Sequence, residues 1–203
     1  MTGHRRSARS CDVSGDVGRA AVYACELAAF DGTDLEDQRS FVEVERIIRS
    51  IAESPWWSGP VVAVRRARAG TMSSVAAGSV GRHDAPIEIR LADGQCTIAT
   101  AAHELAHALA GVEHGHDDVF RQAYLDVVEM GTNLDPLDRR GSIHADQLHE
   151  AFDAAGLALA ERRWPPPTPA PWEPSRYSRN RGPVRLTPSV GSGPVVRDVA
   201  QLG

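Results

Sequence analysis

The sequence has no lysine, so all 22 of its basic residues are arginines. Together with the abundant alanine and glycine, this bias is typical of a GC-rich genome, and an arginine is therefore not by itself a sign of an anion site. Cysteine is also scarce, because Cys11, Cys25 and Cys96 are far apart and odd in number. Their spacing argues against a disulfide framework and against a cysteine-ligated metal, and it favours a reducing compartment.

Aromatic residues make up only 5% of the chain, so we expect a core built mainly from Ala, Val, Leu and Ile. No apolar run approaches the ~18 residues that span a bilayer, and the polar N-terminus lacks the apolar segment of a secretory signal. The net charge of -5 neither requires nor excludes a nucleic-acid partner. These absences predict a soluble, cytoplasmic protein that does not bind membranes.

Composition divides the chain into three parts. Residues 1–15 are polar and rich in Arg and Ser, and we expect them to be disordered. Residues 163–203 contain most of the 13 prolines together with many arginines, and they form a predicted disordered tail that offers a nucleic-acid contact. The remaining residues, 16–162, are predicted to form one domain with its motif core at 60–131.

Hydrophobic periodicity indicates an α+β fold. Helices are predicted at about 16–31, 41–53, 97–110, 117–130 and 144–162. Strands are predicted at 61–64, 73–80 and 87–91. Ser40 and Glu43 have the spacing of a capping box, which marks the start of the second helix. The order is thus two N-terminal helices, a sheet of about three strands, then a motif helix and its supporting helix.

One short motif carries most of the functional information. His103-Glu104-Leu105-Ala106-His107 is an HExxH sequence on a predicted helix. Residues four apart lie on one helix face, so His103 and His107 can converge on one ion. Glu104 projects beside that ion and can act as general base toward a water whose pKa zinc lowers to about 7. We therefore expect one Zn2+ per chain and a catalytic Glu104.

A catalytic zinc site needs a third protein ligand and leaves one position open. His116 is favoured because Gly115 lets the chain bend before it. The following helix, with Phe120 four residues on, can then fix its position. His114 is the main alternative, and Glu113 is a minor one.

Other residues near the motif have two interpretations. Asp117 or Asp118 either orients a ligand imidazole or stabilises the N-terminus of the next helix. Tyr23 and Tyr124 either donate to an oxyanion or pack in the core, and packing is favoured for both. The histidines without a partner at ligand spacing are expected on the surface: His4, His83, His144 and His149.

Two interpretations of the motif involve no catalysis. A metal-free histidine pair is disfavoured because the motif lies among small and apolar residues, where buried polar groups need partners. A closed structural zinc site is disfavoured because it commonly uses cysteines at ligand spacing.

The run TIATAAHELAHALAG followed by GHDDVF resembles the SprT-like (minimal zincin) metalloproteases. Residues 16–130 are more similar still to a group of actinobacterial and actinophage HExxH metallohydrolases bearing HELAH. The segments VYACELAAFDGTDLE, IRLADGQ and FRQAYLDVV share in that similarity. Two departures are a short interval from His107 to His116 and Asp117-Asp118-Val119 in place of the usual G-P-E.

The resemblance implies a zincin-like fold with His116 as third ligand and a peptide or protein as substrate. It also implies that the strand at 86–91 binds an extended peptide by β-addition. The expected function is hydrolysis of amide bonds by a zinc metallopeptidase. Hydrolysis of a small non-peptide substrate and a zinc-organised, non-catalytic binding role are the alternatives.

Overall fold

The fold is described from a computed structural model for residues 18–71, 75–78, 86–132 and 140–167. Within these residues the helices are α1 Arg19–Phe30, α2 Phe41–Ala52, α3 Ile98–Ala110, α4 Asp118–Thr132 and α5 Arg140–Ala154. The strands are β1 Val62–Arg66, β2 Val75–Ala77 and β3 Ile87–Leu91. The α+β class is confirmed. The predicted disordered segment 1–15 and residues 168–203 of the predicted tail lie outside the described residues.

Helix α2 begins at the predicted capping box. The Ser40 Oγ accepts from the Glu43 backbone N–H at 3.3 Å, and the Ser40 N–H donates to the Glu43 carboxylate at 3.0 Å. The helix then buries one apolar stripe, Val44, Ile48 and Ile51. The cap fixes where the helix starts, and the stripe fixes which face meets the core.

The sheet has β3 at its centre, with β1 on one side and β2 on the other. Strand β1 runs parallel to β3 and pairs Val64 with Ile89, whereas β2 runs antiparallel and pairs Ala76 with Ile89. Because both edges of β3 are already paired, it has no free edge for a substrate peptide. The predicted β-addition at 86–91 is therefore wrong. The two-residue period that identifies a strand does not distinguish a central strand from an edge strand.

Helix α3 is buried on most of its surface. Its N-cap, Thr97, accepts from the backbone N–H of Thr100 at 3.1 Å, and the chain leaves the helix at Gly111 with φ 103°. Small residues let α2, α4 and the sheet approach closely around this helix. The residues buried along it are Ala99, Ala101, Ala102, His103, Glu104, Leu105, Ala106, Ala108 and Ala110. The two buried polar side chains in this list belong to the motif.

Helix α5 is shorter than predicted. It ends at Ala154, because Gly156 takes a left-handed φ of 68° and the Leu157 N–H bonds back to the Phe152 carbonyl at 2.9 Å. This is a glycine-terminated helix end, and it corrects the predicted extension to residue 162. His144, predicted at the surface, is buried on this helix, whereas His149 is exposed. His4 and His83 lie outside the described residues.

After α5, the extended segment 157–167 packs on α4. The Arg121 Nη2 donates to the Ala158 carbonyl at 2.7 Å. The buried Asp126 accepts from Arg162 Nε and from Trp164 Nε1, both at 2.8 Å. These bonds compensate a carboxylate that is only 1% exposed. Trp164, which the sequence analysis assigns to the tail, is thereby part of the buried core.

None of the helices in the described ranges is long and apolar enough to cross a membrane.

Candidate metal centre

Two elements bring the three predicted histidines together. His103 and His107 lie one turn apart on α3, on the face that meets α4. His116 follows a 3-10 turn, Val112–His114, and the sharp bend at Gly115, which has φ 56°. The Arg121 Nη1 donates to the His116 carbonyl at 2.8 Å and so holds this loop to α4. The expectation that a glycine bend positions His116 is confirmed.

The three imidazoles form a compact cluster. Their ring centroids are 5.0 Å apart for His103 and His107, 5.1 Å for His103 and His116, and 4.9 Å for His107 and His116. One nitrogen from each ring lies within 4.8 Å of the others, and the Nε2 atoms of His103 and His116 are 3.1 Å apart. Two nitrogens on one tetrahedral zinc, each ~2.1 Å away, lie roughly 3.4 Å apart. These histidines are therefore close enough to hold a metal ion.

The cluster is held between two aromatic rings. The ring of Phe120 is fully buried, and its centroid lies 5.1, 4.3 and 4.8 Å from the ring centroids of His103, His107 and His116. On another side, Tyr23 of α1 stacks on His103 at 5.5 Å and meets His116 edge-on at 5.6 Å. Phe120 thus packs against His116, whose turn it was expected to anchor. Tyr23 is 41% exposed, so its predicted core packing is wrong, while Tyr124 is fully buried as predicted.

The charge state of His107 suits metal binding. Burial, together with the neighbouring His103 and His116, lowers the pKa of His107 to about 2. His107 is therefore a neutral imidazole at physiological pH, and neutral imidazole is the form that ligates metals.

Glu104 is 6% exposed and follows His103 in the chain. Burial raises the pKa of the Glu104 carboxyl above its usual value, against the opposing effect of His103. Glu104 and His103 together line a cavity of about 510 Å³ between α1 and the start of α3. Tyr23 and Leu27 line the same cavity from α1.

A residue that the sequence analysis missed contacts the cluster. Glu26 of α1 places its carboxylate 2.5 Å from the Nδ1 of His103, the ring nitrogen that faces away from His116. The two residues are 77 positions apart in the sequence. No local pattern marks Glu26, because it is an ordinary glutamate in an amphipathic helix whose packing partner the sequence does not reveal.

The alternative ligand His114 lies outside the cluster. Its Nδ1 bonds to the Asp117 carboxylate at 2.8 Å, and its Nε2 lies 3.3 Å from the Arg163 guanidinium. Asp117 also accepts from the backbone N–H groups of Val119 and Phe120 at 2.9 and 3.1 Å. Its contacts are therefore those of a helix cap. Burial raises the Asp117 pKa, but the hydrogen bond from His114 and those from the backbone lower it overall.

The other predicted candidates lie near the cluster but not among its three histidines. Asp118 is exposed in the first turn of α4, where the helix dipole favours a carboxylate. Glu113 lies in the 3-10 turn before His116, with its carboxylate against Gly111.

Comparison of the chain with protein-family models, with curated proteins and with solved structures finds no match.

Proposed function

We propose that this protein is a zinc-dependent peptidase with a zincin-like domain. The observation that carries the proposal is the cluster of His103, His107 and His116 beside Glu104, with His103 and Glu104 in the wall of a cavity. Three histidines leave one position of a tetrahedral ion open, as catalytic zinc sites do and structural sites do not. Zinc held there would polarise a substrate carbonyl and lower the pKa of water.

Glu104 is the proposed general base. It takes a proton from the attacking water and returns it to the leaving amine, so it must both accept and donate near neutral pH. Burial raises its pKa toward that range. Glu104 follows the proposed ligand His103 in the motif, and both residues line the cavity.

Tyr23 is a further candidate in the proposed reaction. Its ring touches two ligand rings, and its half-exposed side chain lines the cavity. A phenolic O–H at this position can donate to the oxygen that becomes negative during attack on an amide.

A peptide is the preferred substrate class because the open cavity combines the side chains of Tyr23 and Leu27 with charged and polar groups, and a peptide offers both apolar side chains and polar backbone. Leu27, one turn from Tyr23 on α1, is 67% exposed beside it. Exposed apolar side chains at the rim of a cavity are typical of sites that bind another molecule.

The proposal is tested by incubating the zinc-loaded protein with a mixed peptide library and identifying the new termini. The matched control is Glu104→Gln, which keeps the volume of the side chain and the three histidines. We expect cleavage by the wild type and at most a trace by the variant. Zinc binding with no cleavage of any peptide would contradict the peptidase assignment, and turnover of small amides or esters by the wild type would favour the non-peptide alternative.

A further inference from the structure

Glu26 lies outside the motif helix, and its carboxylate contacts the cluster of three histidines. Its Oε1 lies 2.5 Å from the His103 Nδ1, and the two side chains are only 17% and 9% exposed. We infer that Glu26 is a positioning residue, which fixes the orientation and the tautomer of His103 so that its Nε2 faces the metal. This inference rests on the proposed metal site.

The first step of the argument is the direction of the hydrogen bond. An ionised carboxylate only accepts, so the hydrogen in this contact belongs to the His103 Nδ1. A neutral imidazole carries one hydrogen, and the Nε2 therefore keeps its lone pair. That Nε2 is the atom that lies 3.1 Å from the Nε2 of His116, on the side where the cluster converges. Glu26 thus selects the tautomer that can ligate a metal.

The second step is that the contact is rigidly supported. Glu26 lies on α1 next to Cys25, whose thiol is buried and donates to the Ala151 carbonyl of α5 at 3.3 Å. At the start of the same helix, Gly18 approaches the His116 backbone so closely that a Cβ there would lie 2.6 Å from its carbonyl oxygen. Helix α1 is therefore fixed against both the loop of the third histidine and the core.

The third step concerns the groups behind the carboxylate. Tyr124 is fully buried, and its hydroxyl makes no hydrogen bond of normal geometry within the described residues. Burial raises the pKa of Tyr124 well above its usual range, and the nearby Glu26 carboxylate raises it further. Glu26 therefore lies near both the His103 ring and the buried phenol of Tyr124, whose ring centroids are 5.5 Å apart.

Residues that orient a ligand histidine in this way typically contribute about 10–100-fold to metal affinity. We therefore expect Glu26→Gln, which keeps the shape of the side chain but removes its charge, to weaken zinc binding by about that factor. The matched control is Glu36→Gln. Glu36 lines the same cavity. Burial raises the pKa of Glu36, and the nearby Glu26 carboxylate raises it further. Glu36→Gln should change zinc affinity by less than about threefold, since Glu36 orients no ligand.

The experiment measures zinc affinity by competition with a chromophoric chelator for the wild type, Glu26→Gln and Glu36→Gln. A second readout needs no variant: the 15N chemical shifts of His103 in the full chain report which ring nitrogen carries the hydrogen. We expect a protonated Nδ1 with and without zinc in the wild type, and a selective loss of affinity in Glu26→Gln.

Equal losses in both variants would show a general charge effect and overturn the inference, as would a His103 hydrogen on Nε2. Unchanged affinity in Glu26→Gln would overturn it as well. A wild type that binds no zinc is a different result: it refutes the proposed metal site, and the His103 tautomer in the metal-free chain then decides separately whether Glu26 fixes the ring.

Discussion

Two of the helices that contribute to the site differ in how much their sequences reveal. Helix α3 carries His103, Glu104 and His107 in a contiguous motif whose spacing by itself implies a metal. Helix α1 carries Tyr23 and Glu26, which both contact the imidazole of His103 but belong to no motif. The difference shows that chemistry set by helical spacing is local, whereas groups that orient ligands and line the cavity come from tertiary packing.

The strongest test of the α3 side is Glu104→Gln. If Glu104 is the general base, the loss of its proton transfer should lower kcat by about 10²–10⁴-fold with zinc content unchanged. Peptide cleavage rates and metal analysis on the same samples measure the two quantities. Activity that persists in this variant would show that another residue is the general base. Helix α3 would then supply histidines but no catalytic residue.

Metal removal tests whether the two helices depend on each other. Because zinc binds the folded state, saturation at about 1,000 times its Kd should stabilise the protein by about 4 kcal/mol. Amide hydrogen exchange should then show slower opening of both α3 and α1 in the zinc-bound chain, since Glu26 links α1 to a ligand. Protection confined to α3 and α4 would show that α1 is not coupled to the metal.

Gly18→Ala tests the α1 side without changing any polar group. The added methyl would lie 2.6 Å from the His116 carbonyl oxygen, which is backbone and cannot turn away. Such overpacking costs about 1–3 kcal/mol, and here the resulting shift should also weaken zinc binding. The control is Gly94→Ala, where a Cβ meets nothing within 4 Å. The unfolding temperature and the zinc affinity should both be lower for Gly18→Ala than for Gly94→Ala. Identical values for the two variants would show that the close approach of Gly18 to His116 does not support the site.

Tyr23→Phe is expected to have the smallest effect. Removing a buried oxyanion donor typically costs about 10²–10³-fold in kcat, and we expect roughly tenfold here because Tyr23 is half exposed. The stacked ring is retained, so zinc affinity should stay the same. A fall in affinity with no change in kcat would instead make Tyr23 a packing residue for His103.

The fold was predictable wherever a local signal exists. The capping box at Ser40 and the glycine bend at Gly115 both appear in the structure as expected. Helix α5 was predicted too long, because periodicity continues past the left-handed Gly156 that ends it. The strand at 86–91 was correctly located, but its central position depends on pairing that alternation does not encode.

In the site, the same distinction holds. His103 and His107 follow from helical spacing, and His116 follows from a glycine next to a helix start. Glu26 could not be predicted, since its role depends on which side of α1 faces His103, 77 positions later in the sequence. The exposure of Tyr23 was missed because a tyrosine on a helix is usually a packing residue, and the sequence does not show which side of α1 is exposed.

The central claim is that three histidines hold one metal ion, and the most direct test is metal content by mass spectrometry. Wild type, His103→Ala, His107→Ala, His116→Ala and His114→Ala would be purified in the same way with zinc supplied. The account predicts about one zinc per chain in the wild type and in His114→Ala, and loss of the metal in the other three. A wild type without zinc, or a His116→Ala variant that retains it while His114→Ala loses it, would contradict the account.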